Sequence, residues 1–287
     1  YGTPQYNEIM ENYYNFQLEY RINADGLPFS PSGLPVTMAD VETFIDLAEP
    51  YLTNPKVNSF RIPFNFDNPQ VTKHLVDRLR EEGWLDKAYF YVYDEPGPDQ
   101  YNAIKNFSQL LEQIAPDVKH IVTREPFPEL FGYVDTWVST LHSYDKTVAH
   151  ARQAAGEHVW WYTMVIPTYP YPTYHIDDRL IGPRLLSWMQ KDYKVEGNLY
   201  WSTTIFKKYN GQYVHRDVWT DPDSFGPGTN GEGFLLYPGT DYGINGPIPT
   251  IRLEAIREGN EDYEYLWTLE QRLKAAAQQL GVTGYDT

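Results

Sequence analysis

The residues best suited to chemistry stand in one short run, Ala88-Tyr-Phe-Tyr-Val-Tyr-Asp-Glu-Pro96. Its alternating aromatic and aliphatic residues predict a buried strand, and two adjacent carboxylates, Asp94 and Glu95, end that strand before Pro96 stops the pairing. Like charges side by side at a strand tip repel and lose part of their hydration, which favours keeping a proton on one of them at neutral pH. A proton donor beside an ionised carboxylate is what cleavage of a glycosidic bond needs. Neighbours on a regular strand face opposite ways, so both acids reach one ligand only if the strand twists or loops out at its end, as Pro96 allows. The plainer alternative for an Asp-Glu pair is to cap the next helix or to pair with surface arginines.

Aromatic residues, 8 Trp, 25 Tyr and 13 Phe in all, gather near the other expected strand ends. They stand as His142 with Tyr144, Trp160-Trp161-Tyr162, Tyr169 with Tyr171, Tyr200-Trp201, and Tyr237. Flat rings stack on the apolar faces of sugars while phenol and indole groups hydrogen-bond the hydroxyls. Any single ring is as readily explained by core filling. The clustering makes His142, Trp160, Tyr200, Trp201 and Tyr237 candidate substrate contacts. Arg21 and Arg61, at the expected ends of the first and second strands, could hold sugar hydroxyls, polarise the carboxylates, or form internal salt bridges. Glu125, past the fourth strand, is the candidate second carboxylate for a two-carboxylate mechanism.

What must position these groups is an alternation of β-rich runs and amphipathic stretches. Strands are expected over 18–23, 57–62, 88–94, 119–123, 136–141, 158–166, 198–206 and 233–237, with helices over 37–52, 70–82, 99–114, 146–155, 179–191 and 250–280. Eight strands with intervening helices predict an α/β fold of the (β/α)8 TIM-barrel type, a single domain over residues 1–287. No glycine-rich phosphate turn follows the first strand, as a doubly wound sheet would usually show. The stretch 207–241, rich in Gly, Pro, Asp and Tyr, is expected as a long loop between the seventh and eighth strands. A helix over 4–16 and a start at Tyr1 suggest that a segment precedes the chain.

Composition narrows the function. A net charge of −16 with no Lys/Arg cluster disfavours nucleic acid and anionic membranes as partners. No run approaches the roughly 18 apolar residues of a membrane span. Without cysteine there are no disulfides, thiolate metal sites or cysteine nucleophiles, a composition compatible with secretion. The seven His are scattered, and no metal site or cofactor is expected, a calcium among the acids of 217–223 being the weakly signalled exception. Serine catalysis lacks its Gly-x-Ser-x-Gly elbow.

The run Tyr91-Val-Tyr-Asp-Glu-Pro96 resembles the catalytic strand of glycoside hydrolase family 123 and of the larger bacterial uncharacterised-domain family that shares its catalytic domain. The likeness continues through Trp160-Trp161-Tyr162, Asp177, Arg184 and Trp188, Gly197-Asn-Leu-Tyr-Trp201, Gly231-Glu-Gly-Phe-Leu-Leu-Tyr-Pro-Gly239, and the run from Ile251 to Leu266. The resemblance implies a TIM barrel, often behind an N-terminal β-sandwich. It implies exo-acting removal of β-linked N-acetylgalactosamine, or a close N-acetylhexosamine, with retention, the substrate's acetamido oxygen serving as nucleophile. By that analogy Glu95 protonates the leaving oxygen and later deprotonates water, while Asp94 accepts the acetamido N–H and stabilises the oxazolinium charge. Tyr162 is the candidate donor to the acetamido oxygen, and Trp201 the sugar platform. The acids Glu261, Asp262 and Glu264 are read as a solvated or salt-bridged helix face. The expectation is a secreted bacterial glycosidase with a glycan substrate. One alternative is a glycosidase for sugars without an acetamido group, using Glu95 with Glu125 or Asp241. The other is a non-catalytic carbohydrate-binding barrel.

Overall fold

The computed structural model describes residues 3–29 and 35–282. The chain divides into two compact units, Tyr1–Tyr162 with Pro238–Pro247 and Thr163–Tyr237 with Ile248–Thr287.

The first unit opens with helices α1 (Pro4–Glu19) and α2 (Met38–Leu52). Thr3 caps α1 by accepting from the Tyr6 N–H, and Thr37 with Asp40 forms a reciprocal capping box on α2. Strands β1 (Phe60–Arg61), β2 (Ala88–Tyr93), β3 (Lys119–Val122), β4 (Thr136–Thr140) and β5 (His158–Thr163) follow. Helices α3 (Pro69–Glu81), α4 (Tyr101–Ile114) and α5 (Lys146–Ala154) alternate with them. Each of these strands pairs in parallel with the next, from Phe60 opposite Ala88 to Thr140 opposite Tyr162. Val41, Phe44 and Ala48 of α2, Leu75 and Leu79 of α3, and Phe107 and Leu111 of α4 bury one face of the sheet against Phe60, Ala88 and Phe90. Because side chains alternate, Tyr89 and Tyr91 are left on the opposite face of β2. That face carries the candidate chemistry.

The second unit contains α6 (Ile181–Asp192), β6 (Gly197–Tyr200), a hairpin of β7 (Lys207–Tyr209) and β8 (Tyr213–His215), and the long α7 (Ile251–Gln279). Arg184 of α6 makes a two-pronged ion pair with Asp262 of α7, at 2.6 and 3.0 Å, and the Trp188 indole donates to the same carboxylate. Gly259 lets the helices approach, since a Cβ there would lie 2.8 Å from the Arg184 carbonyl oxygen. Arg252 is buried and donates to the carbonyls of Tyr174, Gly231 and Phe234. Asp262 is therefore a structural acid, as a salt-bridged face requires.

The closed eight-stranded TIM barrel is not formed. Strands β1 to β6 make one open sheet of six in sequence order, with β9 (Leu236–Pro238) and β10 (Pro247–Pro249) in a separate two-stranded sheet. The expected first strand at 18–23 is the end of α1 and the turn behind it. Leu18, Tyr20 and Ile22 mimic a strand alternation, yet Leu18 also continues a helical stripe with the buried Tyr14 and Gln17. The expected eighth strand survives only at its end, as β9 outside the main sheet, because Gly231 and Gly233 ahead of it sit at φ 81° and 74°, incompatible with extended pairing. Nor is 207–241 a plain loop between two barrel strands, since it contains the β7/β8 hairpin.

Candidate active site

Asp94 and Glu95 follow directly on β2, and the chain leaves the sheet there in two steps. The pairing of β2 with β3 slips in register between Tyr91 and Tyr93, and Glu95 adopts a left-handed backbone with φ 45°. For a residue with a Cβ this conformation is uncommon and costs of order 1 kcal/mol or more, held by its surroundings. The turn answers the geometric objection to adjacent strand residues, because it breaks the alternation between the two acids.

Each carboxylate is held by one oxygen. Asp94 Oδ1 accepts from the Tyr91 hydroxyl at 2.6 Å and from the Thr123 hydroxyl at 2.9 Å. Glu95 Oε1 accepts from the Tyr162 hydroxyl at 2.5 Å, and its N–H donates to the Thr123 hydroxyl at 2.7 Å. Among the described residues no donor takes Asp94 Oδ2 or Glu95 Oε2, and both acids are exposed. An oriented carboxylate with one oxygen engaged and the other open can accept a ligand N–H or exchange a proton with it.

The phenols answer to the same charges. Burial first, then the hydrogen bond to Glu95, pushes the Tyr162 hydroxyl far above the ordinary tyrosine range, and burial with the Asp94 hydrogen bond does the same to Tyr91. A raised phenol stays protonated as pH rises, so both groups remain donors when exposed tyrosines ionise near about pH 10. In alkaline difference spectra, the Tyr91→Phe and Tyr162→Phe variants are expected to match the parent's phenolate amplitude up to about pH 10.5. Amplitude missing below that pH in either variant would contradict the assignment.

Further out on the first unit, Trp160 meets Tyr89 edge to face, with centroids 6.2 Å apart. The Tyr89 hydroxyl donates to Asp25 at 2.8 Å, and Asp25 pairs with Arg61 at 2.8 Å. Period two places Tyr89 with Tyr91 and Trp160 with Tyr162, so the Arg61–Asp25–Tyr89–Trp160 chain borders the acids along two strands. Arg21 lies beyond the C-cap of α1 with φ 60°, not at a strand end. His142 is exposed in the turn Leu141–Ser143 after β4. Glu125 is exposed beside Arg124 at 3.6 Å, and Asp241 lies in the turn Thr240–Tyr242.

Tyr200, Trp201 and Tyr237 belong to the second unit. Glu232, fully buried, accepts from the Trp201 indole and from the Tyr200 hydroxyl at 3.1 Å, with His175 Nε2 also 3.1 Å away. Burial and the Glu232 charge push the Tyr200 phenol well up. Gly233, whose Cβ would collide with the Trp201 ring, lets that ring lie against the backbone. Tyr237 stacks on Trp219 at 3.9 Å and 11°, and the pair helps line a cavity of about 320 Å³ with His175, Asp178 and Arg252.

Thr123 and Asp25 carry no signal of their own in the sequence, and Tyr91 and Glu232 stand there only inside the runs that carry the family likeness. Thr123 stands at the predicted end of its strand and Tyr91 three residues before Asp94, but nothing in one sequence aligns Thr123 with residue 94. Among the described residues no cluster of three or more His, Asp or Glu is placed to hold a metal ion. The Asp217 carboxylate accepts from Trp219 N–H and the Thr220 hydroxyl, and Asp221 and Asp223 both face Lys208. Among them, too, no helix is long and apolar enough to cross a membrane.

The family model of the glycoside hydrolase 123 catalytic domain matches residues 55–269. Among solved structures, the chain is similar to a family 123 glycoside hydrolase from Clostridium perfringens, whose structural analysis concerns the details of glycolipid glycan hydrolysis. The two share 22% identity with a TM-score of 0.52 over 75% of this chain, a likeness of fold. This chain spans 37% of that one's length. No curated protein matches the chain.

Proposed function

Because the chain belongs to the family of glycoside hydrolase 123 catalytic domains and is on that footing a glycosidase, we propose that it releases β-linked N-acetylgalactosamine, or a close N-acetylhexosamine, from the end of a glycan. The reaction proceeds with retention through the substrate's own 2-acetamido group. The acetamido oxygen attacks the anomeric carbon, the bond to the leaving oxygen breaks, and Glu95 gives that oxygen its proton. Asp94 accepts the acetamido N–H and balances the charge of the oxazolinium ring. Water, deprotonated by Glu95, then opens the ring with a second inversion. An internal nucleophile has a high effective molarity and removes the need for a second carboxylate about 5 Å away. Tyr162 donates to Glu95 in the free protein; with substrate bound it turns its proton to the acetamido oxygen. Secretion, where glycan polymers are met, is part of the same proposal.

The observation that carries the reading is the open oxygen on each of two consecutive, oriented carboxylates. Two acids so placed suit roles on one small group better than opposite faces of a sugar ring. The test is hydrolysis of aryl β-N-acetylgalactosaminide, β-N-acetylglucosaminide and β-galactoside, with and without a thiazoline that mimics the oxazoline. Cleavage of an acetamido sugar, blocked by the thiazoline, is the expected result. Cleavage of the galactoside with no thiazoline effect would point to a two-carboxylate enzyme instead. Binding without cleavage of any would point to a carbohydrate-binding role.

A further inference from the structure

We infer that Thr123 is the positioning residue that sets the geometry of the two acids. The inference goes beyond the proposed reaction but rests on the roles given there to Asp94 and Glu95. Thr123 lies just past β3, is 3% exposed, and its hydroxyl, which the Tyr91 hydroxyl also approaches at 3.3 Å, works in two directions between the acids. The oxygen accepts the Glu95 N–H at 2.7 Å, and the proton goes to Asp94 Oδ1 at 2.9 Å. One side chain thus joins the backbone of one acid to the carboxylate of the other.

The need for such a link follows from the backbone. The pairing of β2 with β3 ends at Tyr93 opposite Val122, so the ladder offers nothing to the Glu95 N–H. Glu95 is nonetheless held at φ 45°, which persists only where surroundings over-determine it. Thr123 supplies that constraint, and the next residue reinforces it, since Arg124 Nη1 donates to the Pro96 carbonyl at 2.7 Å. Tyr91 shares the load on Asp94 Oδ1 but does not touch the Glu95 backbone. Valine matches threonine in shape and can neither donate nor accept, whereas serine can do both. The pair therefore separates the hydrogen bonds from the packing.

The experiment compares the full chain with T123V and T123S on the best acetamido substrate. A misplaced acid costs on the order of 10²-fold in turnover. T123V is expected to lose about that much in kcat with KM nearly unchanged, and T123S to recover most of it. Hydrogen exchange at the Glu95 amide, read by NMR, should quicken roughly tenfold in T123V and return in T123S, as loss of a single acceptor implies. A T123S variant as poor as T123V, a loss that tracks a fall in Tm, or unchanged Glu95 exchange would overturn the assignment. If T123V does not fold, T123A is read by the same criteria. If the parent cleaves no acetamido sugar, the functional reading has failed, and the exchange rate together with the φ-dependent coupling of the Glu95 amide decides the positioning role by itself.

Discussion

Glu95→Gln is expected to lower turnover of substrates with poor leaving groups, such as an alkyl or glycosyl aglycone, by about 10³- to 10⁴-fold, the usual worth of a positioned general acid. The same variant should release dinitrophenolate in a single turnover within about tenfold of the parent rate, because that aglycone departs without a proton. The structure makes Gln a clean replacement. The Tyr162 hydroxyl donates to Oε1, an acceptor that the amide oxygen can reproduce, and the link to Thr123 runs through the Glu95 backbone rather than its side chain. The constraint on φ is therefore kept while the transferable proton is removed. The deciding measurement is kcat/KM across aglycones of graded acidity. A steep dependence in the variant against a shallow one in the parent supports the acid role, and an equal loss at every aglycone removes Glu95 from it.

Asp94→Asn is expected to cost about 10²- to 10³-fold with every aglycone, the scale seen when one charge-stabilising group is lost from a transition state. The reason lies in which oxygen is engaged. The Tyr91 and Thr123 hydroxyls both donate to Oδ1, so the amide oxygen of Asn settles there and its NH₂ takes the place of Oδ2. The substituent offered to an acetamido N–H is then a donor facing a donor, and the negative charge is gone as well. Affinity for the thiazoline should weaken in step with kcat/KM, since that inhibitor carries the geometry of the intermediate. Thiazoline affinity unchanged beside a large loss of rate would separate Asp94 from the acetamido group.

Much of the candidate site is legible in the sequence. An aromatic strand that ends in two consecutive acids and a proline is unusual enough to stand out alone, and the paired aromatic runs marked β5 and β6. Where the sequence misled, local pattern had two readings. At Leu18, Tyr20 and Ile22 the apolar spacing fits both a strand and the last turn of a helix, and the capped, buried stripe of α1 won. At Gly231 and Gly233 the apolar run reads as a strand, but two left-handed glycines divert it. With the first expected strand helical and the end of the eighth in a separate sheet, the expected barrel becomes an open sheet of six.

What the sequence by itself determined is the chemistry available: acid types, their adjacency, the absence of thiols and the family to which residues 55–269 belong. Those properties are local or additive along the chain, so no long-range contact is needed to read them. Only the tertiary structure decided the orientation of the acids. The Thr123 hydroxyl comes 29 residues after Asp94 in sequence, and the Tyr162 phenol 67 after Glu95. A hydrogen bond of that span depends on the register of parallel strands and on a single left-handed residue at the strand end. Neither is encoded in the spacing of the partners, because parallel pairing joins segments through intervening helices whose lengths fix the register only once they are packed.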